Sequence, residues 1–384
     1  MRPEKSTCNR TRGFSLVELM VAITIGAIIL AGAVTLFVNN RDTYKTTNEL
    51  SRLQETARYA LHMMVKDIRM AGYFGCADRL DTVTDNNGAA PGDLWNPANP
   101  IEGWEGDVAG NYLPSNVAGV PGAGGARFGS FVDNVADNPG NTDGDDGWVL
   151  ALGGITPDSI TVRYLAGNMN DAVGAAGTLD NQVTADAING ANSTITVDST
   201  TGFALNQVVA ITDCGGSDIF QINTATTATT VQANALSRGY NAVSSPMIAP
   251  FVGVRYYIGA NGRSPNPGTD PYPSLYRAII TPGGLAEAPQ ELFEGVETLQ
   301  LLYGEDTNAD GTPDNYANAD AVGNWASIVS VRLSILVRTI DEHGRADVAN
   351  IDTNTYQVNN IVFNPVDDRR RRRVFTTTTM VRNL

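Results

Sequence analysis

The chain has 384 residues, 42% hydrophobic and only 17% charged, with 39 Gly and 18 Pro. Charge well below the usual ~25% excludes a disordered polyelectrolyte, and the abundance of Gly, Pro, Thr and Asn argues against a helix-rich enzyme. The balance of 26 Lys+Arg to 41 Asp+Glu gives a net −15, which disfavours nucleic-acid or anionic-lipid binding by the chain as a whole.

Residues 1–13 (MRPEKSTCNRTRG) carry Arg2, Lys5, Arg10 and Arg12 against Glu4. Leu19 to Val38 is then twenty residues without a charge. At about 1.5 Å per residue, that run crosses a ~30 Å hydrocarbon core as a helix. The basic flank belongs in the cytoplasm, so the residues after Val38 are expected on the other side. A secretory signal would end in an A-x-A-like site; Asn39, Asn40 and Arg41 follow instead. Glu18 stands at the mouth of the run, where an unpaired carboxylate costs roughly 2–3 kcal/mol if drawn inward. Cleavage after Gly13 would supply a cation, the new α-amino group of Phe14, four residues before Glu18.

Gly13-Phe14-Ser15-Leu16-Val17-Glu18, basic before and apolar after, resembles the class III signal of type IV pilins and type II secretion pseudopilins. The resemblance implies a leader of residues 1–13 that a membrane prepilin peptidase removes, methylating Phe14. It further implies that Glu18 pairs with a neighbouring subunit's amine during assembly. Residues 14–38 are then the transmembrane and filament-core helix. Major pilins often carry a proline in the later half of this segment, and here none occurs between Phe14 and Val38.

Residues 39–71 change to an amphipathic pattern. Leu50, Leu53, Ala57, Ala60, Met64 and Ile68 recur at spacings of three and four, one face of a helix. Arg52, Glu55, Arg58, Lys66 and Asp67 supply its polar surface. With no proline in 14–70, one helix of roughly 85 Å is predicted, ended by Gly72.

Residues 72–384 read as a β-rich domain, loop-rich over 77–150, so the fold class is α+β and pilin-like. The strand-like segments are 159–164, 194–197, 207–212, 229–233, 252–258, 274–280, 296–303, 327–337 and 374–381, separated by turn residues. Their order is not legible. Cys8 leaves with the leader. Cys76 and Cys214 are exported to an oxidising compartment, where a disulfide between them is expected to contribute on the order of 4–5 kcal/mol.

Internal motifs narrow the family. Ala57-Arg58-Tyr59-Ala60-Leu61, Asp67-Ile68-Arg69-Met70-Ala71-Gly72-Tyr73-Phe74-Gly75-Cys76, Asp213-Cys214 with Asp218-Ile219-Phe220-Gln221, Glu294-Gly295-Val296-Glu297 and Arg373-Val374-Phe375-Thr376 resemble the PilW-type minor pilins. The resemblance implies a low-abundance subunit that primes pilus assembly at or near the tip. Its partners would be other minor pilins, the major pilin, the prepilin peptidase and the inner-membrane assembly platform. It would sit in the inner membrane with its domain in the periplasm, and then reach the cell surface in the pilus. Two alternatives stay open, a type II secretion pseudopilin and a membrane-tethered periplasmic adhesive module.

Asp306, Asn308, Asp310, Thr312 and Asp314 space side-chain oxygens as a calcium loop does, with Gly311 at its sixth position. Calcium is therefore the candidate cofactor, although Ala317 stands where a bidentate Glu is expected; a solvated Asx-rich turn is the simpler reading. Arg369 to Arg373 has three readings, a solvated or protected strand edge first, then a docking surface for an acidic partner or a nucleic-acid contact. Only two histidines occur, His62 and His343, and no HExxH, GxSxG or GxxxxGK[ST] pattern is present. No enzyme activity and no nucleic-acid partner are expected.

Overall fold

The computed structural model describes residues 15–75, 83–85, 97, 99–106, 112–113, 157–166, 181–184, 190–200, 203–223, 227, 229–260, 272–281, 284–285, 289–340, 352–365 and 369–383. It divides into two compact units, Met1–Arg52 and Leu53–Leu384. Helix α1, Leu16–Met70, is unbroken over 55 residues, as the absence of proline requires.

In the first unit, residues 19–38 of α1 are uncharged and exposed. This apolar stretch has no residue buried, so by length and composition it can cross a membrane. Thr24, Thr35, Thr43 and Thr47 turn their hydroxyls back onto carbonyls of the preceding turn at 2.9–3.0 Å, which hides their polarity inside the helix.

In the second unit, the C-terminal part of α1 buries Leu53, Ala57, Ala60, Met64 and Ile68, the stripe its periodicity predicts. Each of the three larger side chains contributes about 1.5–3 kcal/mol as an upper value. Asp67 is buried on the same face, against the expectation that it faces solvent. Gly72 adopts φ +72° and its N–H donates to the Arg163 carbonyl at 3.0 Å, so the helix stops and turns into the sheet.

The strands in chain order are β1 (Val83–Asp85), β2 (Ile101–Gly106), β3 (Tyr112–Leu113), β4 (Ser159–Leu165), β5 (Asn181–Gln182), β6 (Gly190–Thr196), β7 (Val208–Asp213), β8 (Gly216–Gln221) and β9 (Thr230–Leu236). They continue as β10 (Met247–Ala260), β11 (Pro273–Thr281), β12 (Gly284–Leu285), β13 (Gln290–Glu294), β14 (Val296–Glu305), β15 (Asn315–Ala317), β16 (Ile328–Arg338), β17 (Tyr356–Val358), β18 (Ile361–Phe363) and β19 (Arg372–Met380). All nine predicted segments are strands. The largest sheet runs β1-β8-β7-β10-β4-β2-β3, with β11 also on β10. Strand β10 is its organiser: residues 247–250 pair with β7, while 251–260 pair with β4 and β11. A second, antiparallel sheet runs β15-β14-β16-β19.

The β7–β8 hairpin is buried on both faces. Val209, Ile211 and Phe220 join a core under the β6–β9 hairpin with Ile195, Val231 and Ile248. Val208, Ala210 and Ile219 pack on the other side against Phe74, Leu165 and Phe251. Burial on both faces removes the alternation that marks a half-exposed strand, and β8, with Gly216, Ser217 and Asp218 at its start, goes unseen in the sequence.

Candidate functional site: a capped apolar helix and its buried anchor

Gly13, Phe14 and Cys8 lie outside the described residues. Glu18 lies in the first turn of α1, and its environment is local. Ser15 accepts the Val17 N–H on its side-chain oxygen at 3.2 Å, and the Ser15 N–H donates to Glu18 Oε2 at 3.2 Å. Ser15 and Glu18 therefore form a capping box, each side chain satisfying an amide the helix leaves free. The carboxylate also sits at the positive end of the helix dipole. The spacing S-x-x-E was the available signal for this second role of Glu18.

At its other end, α1 is held to the large sheet through Asp67. Tyr164 Oη donates to Asp67 Oδ1 at 3.2 Å, and Tyr256 Oη donates to Oδ2 at 2.6 Å. Arg277 Nε donates to the same oxygen at 3.2 Å. These partners come from β4, β10 and β11 and project from one sheet face, because Tyr256 pairs directly with Ile160 and Arg277. Burial, and then the Asp67 charge, push the Tyr256 hydroxyl well above its ordinary pKa, so it remains a donor. Asp67 opens the motif that runs to Cys76, but no local pattern marks it as buried, since its partners lie 97, 189 and 210 residues away. The chain terminus completes the hold: Asn383 Nδ2 donates to the Arg69 carbonyl at 3.1 Å, and Arg69 Nε donates to Thr379 Oγ1 at 3.2 Å.

Directly after α1, Leu165 N–H donates to the Tyr73 carbonyl at 2.8 Å, while Phe74 stacks on Phe251 at 5.7 Å between centroids. The Phe74 carbonyl accepts both Thr212 Oγ1 at 2.8 Å and Ser217 Oγ at 3.1 Å. Gly75 has φ +79°, and a Cβ there would come 2.5 Å from Thr212 Cγ2, so only glycine fits. This brings the chain leading to Cys76 against the β7–β8 hairpin, whose turn carries Cys214. Cys76 itself lies outside the described residues.

The loop Asp306–Asp314 is closed by its own groups. Asp306 Oδ1 accepts the N–H of Asn308, Ala309 and Asp310, and Oδ2 accepts that of Gly311 at 2.7 Å. Asp314 Oδ2 accepts Thr307 N–H and Oγ1, and its Oδ1 accepts Asn308 Nδ2 at 3.0 Å. Hydrogen bonds from Thr312 hold the Asp310 carboxyl below the usual range, as those from Thr307 do for Asp314. Among the described residues, no group of three or more His, Cys, Asp or Glu is arranged to hold a metal. Glu305, a possible extra ligand, instead accepts the Asn324 N–H at 2.9 Å, and Ala317 lies in β15 opposite Tyr303.

The arginine run is not a uniformly solvated edge. Arg370 and Arg372 are buried, at 5% and 9% exposure, while Arg371 and Arg373 are exposed. Arg372 Nε and Nη2 donate to the two oxygens of Glu297 at 2.7 and 2.9 Å, a bidentate pair. Arg338 Nη1 meets Glu297 Oε1 at 3.2 Å, and Arg372 Nη1 meets Asp352 Oδ2 at 3.2 Å. Burial pushes Asp352 up, but hydrogen bonds from Tyr356, Asn354 and Arg372 outweigh it and hold this carboxyl below the usual range. The period of two in a strand turns alternate arginines inward, which a row of five identical residues conceals. His62 is exposed on α1, and His343 lies outside the described residues.

Comparison with known proteins accounts for both ends of this arrangement. Residues 8–34 match the prokaryotic N-terminal methylation motif, which contains the Glu18 cap. Residues 255–383 match the family described as Type IV Pilus-assembly protein W. That span includes Tyr256, Arg277, Glu297, Arg338 and Arg372. The pilin-like protein PilA3 of Thermus thermophilus is 36% identical over 61 residues, which are 16% of this chain and 26% of that protein. The chain thus spans only about a quarter of that relative's length. The chain carries a prepilin methylation motif over its apolar helix and, over its last third, a region similar to the PilW family of type IV pilus-assembly proteins.

Proposed function

We propose that this chain is a minor pilin that primes type IV pilus assembly and resides at or near the tip. The carrying observation is the apolar part of α1, which has no residue of its window buried yet continues into a helix anchored by Asp67. A surface of that kind needs lipid before assembly and neighbouring helices afterwards. The leader is removed after Gly13, and Phe14 becomes the methylated N-terminus. The anchor holds the subunit in the inner membrane with the β-rich unit in the periplasm. Glu18 then exchanges its local bond to Ser15 for the terminal amine of a neighbouring subunit. In low dielectric that charge pair selects the register of the incoming helix. The β-rich unit selects partner minor pilins.

Two variants test this. Gly13→Ala is expected to leave the leader attached, read as the mass of the membrane-extracted protein. Glu18→Ala is expected to be processed but to leave few surface pili; normal piliation would overturn the pairing mechanism. A deletion strain compared for surface pili and for secreted protein separates the pilus role from secretion.

We further propose a Cys76–Cys214 disulfide, supported by the docking of Phe74 and Gly75 on the β7–β8 hairpin. Intact mass is expected to rise by two hydrogens on reduction. Free alkylation of both thiols in the unreduced protein would count against it. The loop Asp306–Asp314 is proposed as a calcium loop on the spacing of its oxygen donors alone, which an ion would have to draw away from their present hydrogen bonds. Calorimetric titration of the full chain is expected to show heat and a raised Tm at millimolar calcium, and an unchanged Tm without heat sinks the assignment.

A further inference from the structure

The four-stranded sheet ends on two different edges. On one side lies β15, three residues long. On the other lies β19, which pairs along its whole length with β16, from Arg338 opposite Arg372 to Ser330 opposite Met380, with no register shift. Among the described residues, no strand pairs with the far side of β19. In an antiparallel ladder, alternate residues of such a strand direct N–H and C=O away from their partner.

Natural sheets blunt an exposed edge with shortness, bulges, proline or charge. The middle of β19 has none of these. Val374 to Val381 contains no charge and no proline, and four consecutive threonines (Thr376–Thr379) favour extended backbone. Thr376, Thr378 and Met380 are exposed on one face. Cations stand only at the ends: Arg371 and Arg373 at the start and Arg382 just beyond the finish, all exposed. Basic residues that protected the edge would interrupt it. Placed as a pair of brackets, they instead match an incoming strand that is acidic at both ends.

We infer that β19 is an acceptor edge that recruits an extended segment of a partner protein, uncharged in its middle and acidic at its ends, as an additional antiparallel strand. Main-chain bonds to β19 supply the affinity, and Arg371, Arg373 and Arg382 set the register. The inner arginines take no part, because Arg370 and Arg372 are turned into the domain.

The test uses the full chain in detergent micelles and a fluorescent peptide of sequence DETVTVTED, followed by anisotropy. Saturable binding is expected. N-methylation of alternate peptide residues on the paired phase is expected to weaken it more than tenfold, and on the other phase little, since only the paired phase loses main-chain hydrogen bonds to β19. The double substitution Arg371→Glu/Arg373→Glu, on exposed side chains, is expected to weaken it about fivefold and to favour a peptide with lysine ends, as expected for two rim charges. Equal binding of both N-methylated phases would mean charge attraction alone and overturn the proposal, as would absence of saturation. A concentration-dependent dimer in sedimentation that the peptide cannot dissociate would assign the edge to a second copy and overturn it too. Because neither Gly13 nor Glu18 enters this assay, its failure leaves the assembly reading standing.

Discussion

Asp67→Ala is expected to lower the stability of the β-rich unit by about 3–5 kcal/mol, the range for breaking a buried ion pair from one side. The carboxylate is 5% exposed and accepts from Tyr164, Tyr256 and Arg277. Its removal leaves the Arg277 guanidinium without its ion-pair partner here and two phenols short of an acceptor. Denaturant unfolding followed by tryptophan emission reads the effect through Trp104 and Trp325. Asp67→Asn keeps the size and one acceptor and is expected to fall between wild type and Asp67→Ala. Tyr164→Phe removes the longer of the two phenol hydrogen bonds to Asp67 and is expected to cost about 1 kcal/mol. A shift below about 0.5 kcal/mol for Asp67→Ala would show that the helix is held by its apolar stripe alone.

Glu297→Ala is expected to be at least as damaging. Glu297 is 1% exposed and takes three guanidinium donors from Arg338 and Arg372. Among the described residues Glu297 and Asp352 stand against Arg338 and Arg372, so removing Glu297 takes a buried carboxylate from two buried guanidinium groups. A loss of about 3–5 kcal/mol follows from the missing partner, and a cavity adds to it. Replacing Glu297 together with both arginines, as Glu297→Leu with Arg338→Met and Arg372→Met, is expected to recover part of that loss, since apolar side chains of similar volume need no partners and Asp352 keeps its bonds from Tyr356 and Asn354. The readout is again the denaturation midpoint. If the single variant proved no worse than the triple, the ion cluster would not be what holds β14, β16 and β19 together.

Both residues show where sequence reasoning stops. The stripe Leu53, Ala57, Ala60, Met64 and Ile68 was legible because helical periodicity is local, and all five are buried. Asp67 falls beside that stripe, yet a charge on a helix defaults to solvent in any sequence reading. Only β4, β10 and β11 converging on it make burial tolerable. The arginine run reads as one feature in the sequence and divides in the fold, with Arg370 and Arg372 inward and Arg371 and Arg373 outward. Which parity points inward depends on the pairing of β19 with β16, and that pairing is long-range.

The sequence by itself determined the two ends of this protein's chemistry. The apolar run, the Ser15–Glu18 spacing and the lack of proline dictate one long helix with a capped start, since each depends on residues within a turn or two. It also separated the charges. Setting aside residues 1–13, the proposed leader, removes four basic and one acidic residue from 26 and 41 and leaves 22 and 40, a net −18 on the remainder. Tertiary structure alone decided what anchors that helix, which arginines are structural, and that β19 has no further strand beside it among the described residues. Those depend on strand order and register, set by contacts between residues tens to hundreds of positions apart. Such contacts leave no periodic trace along the chain.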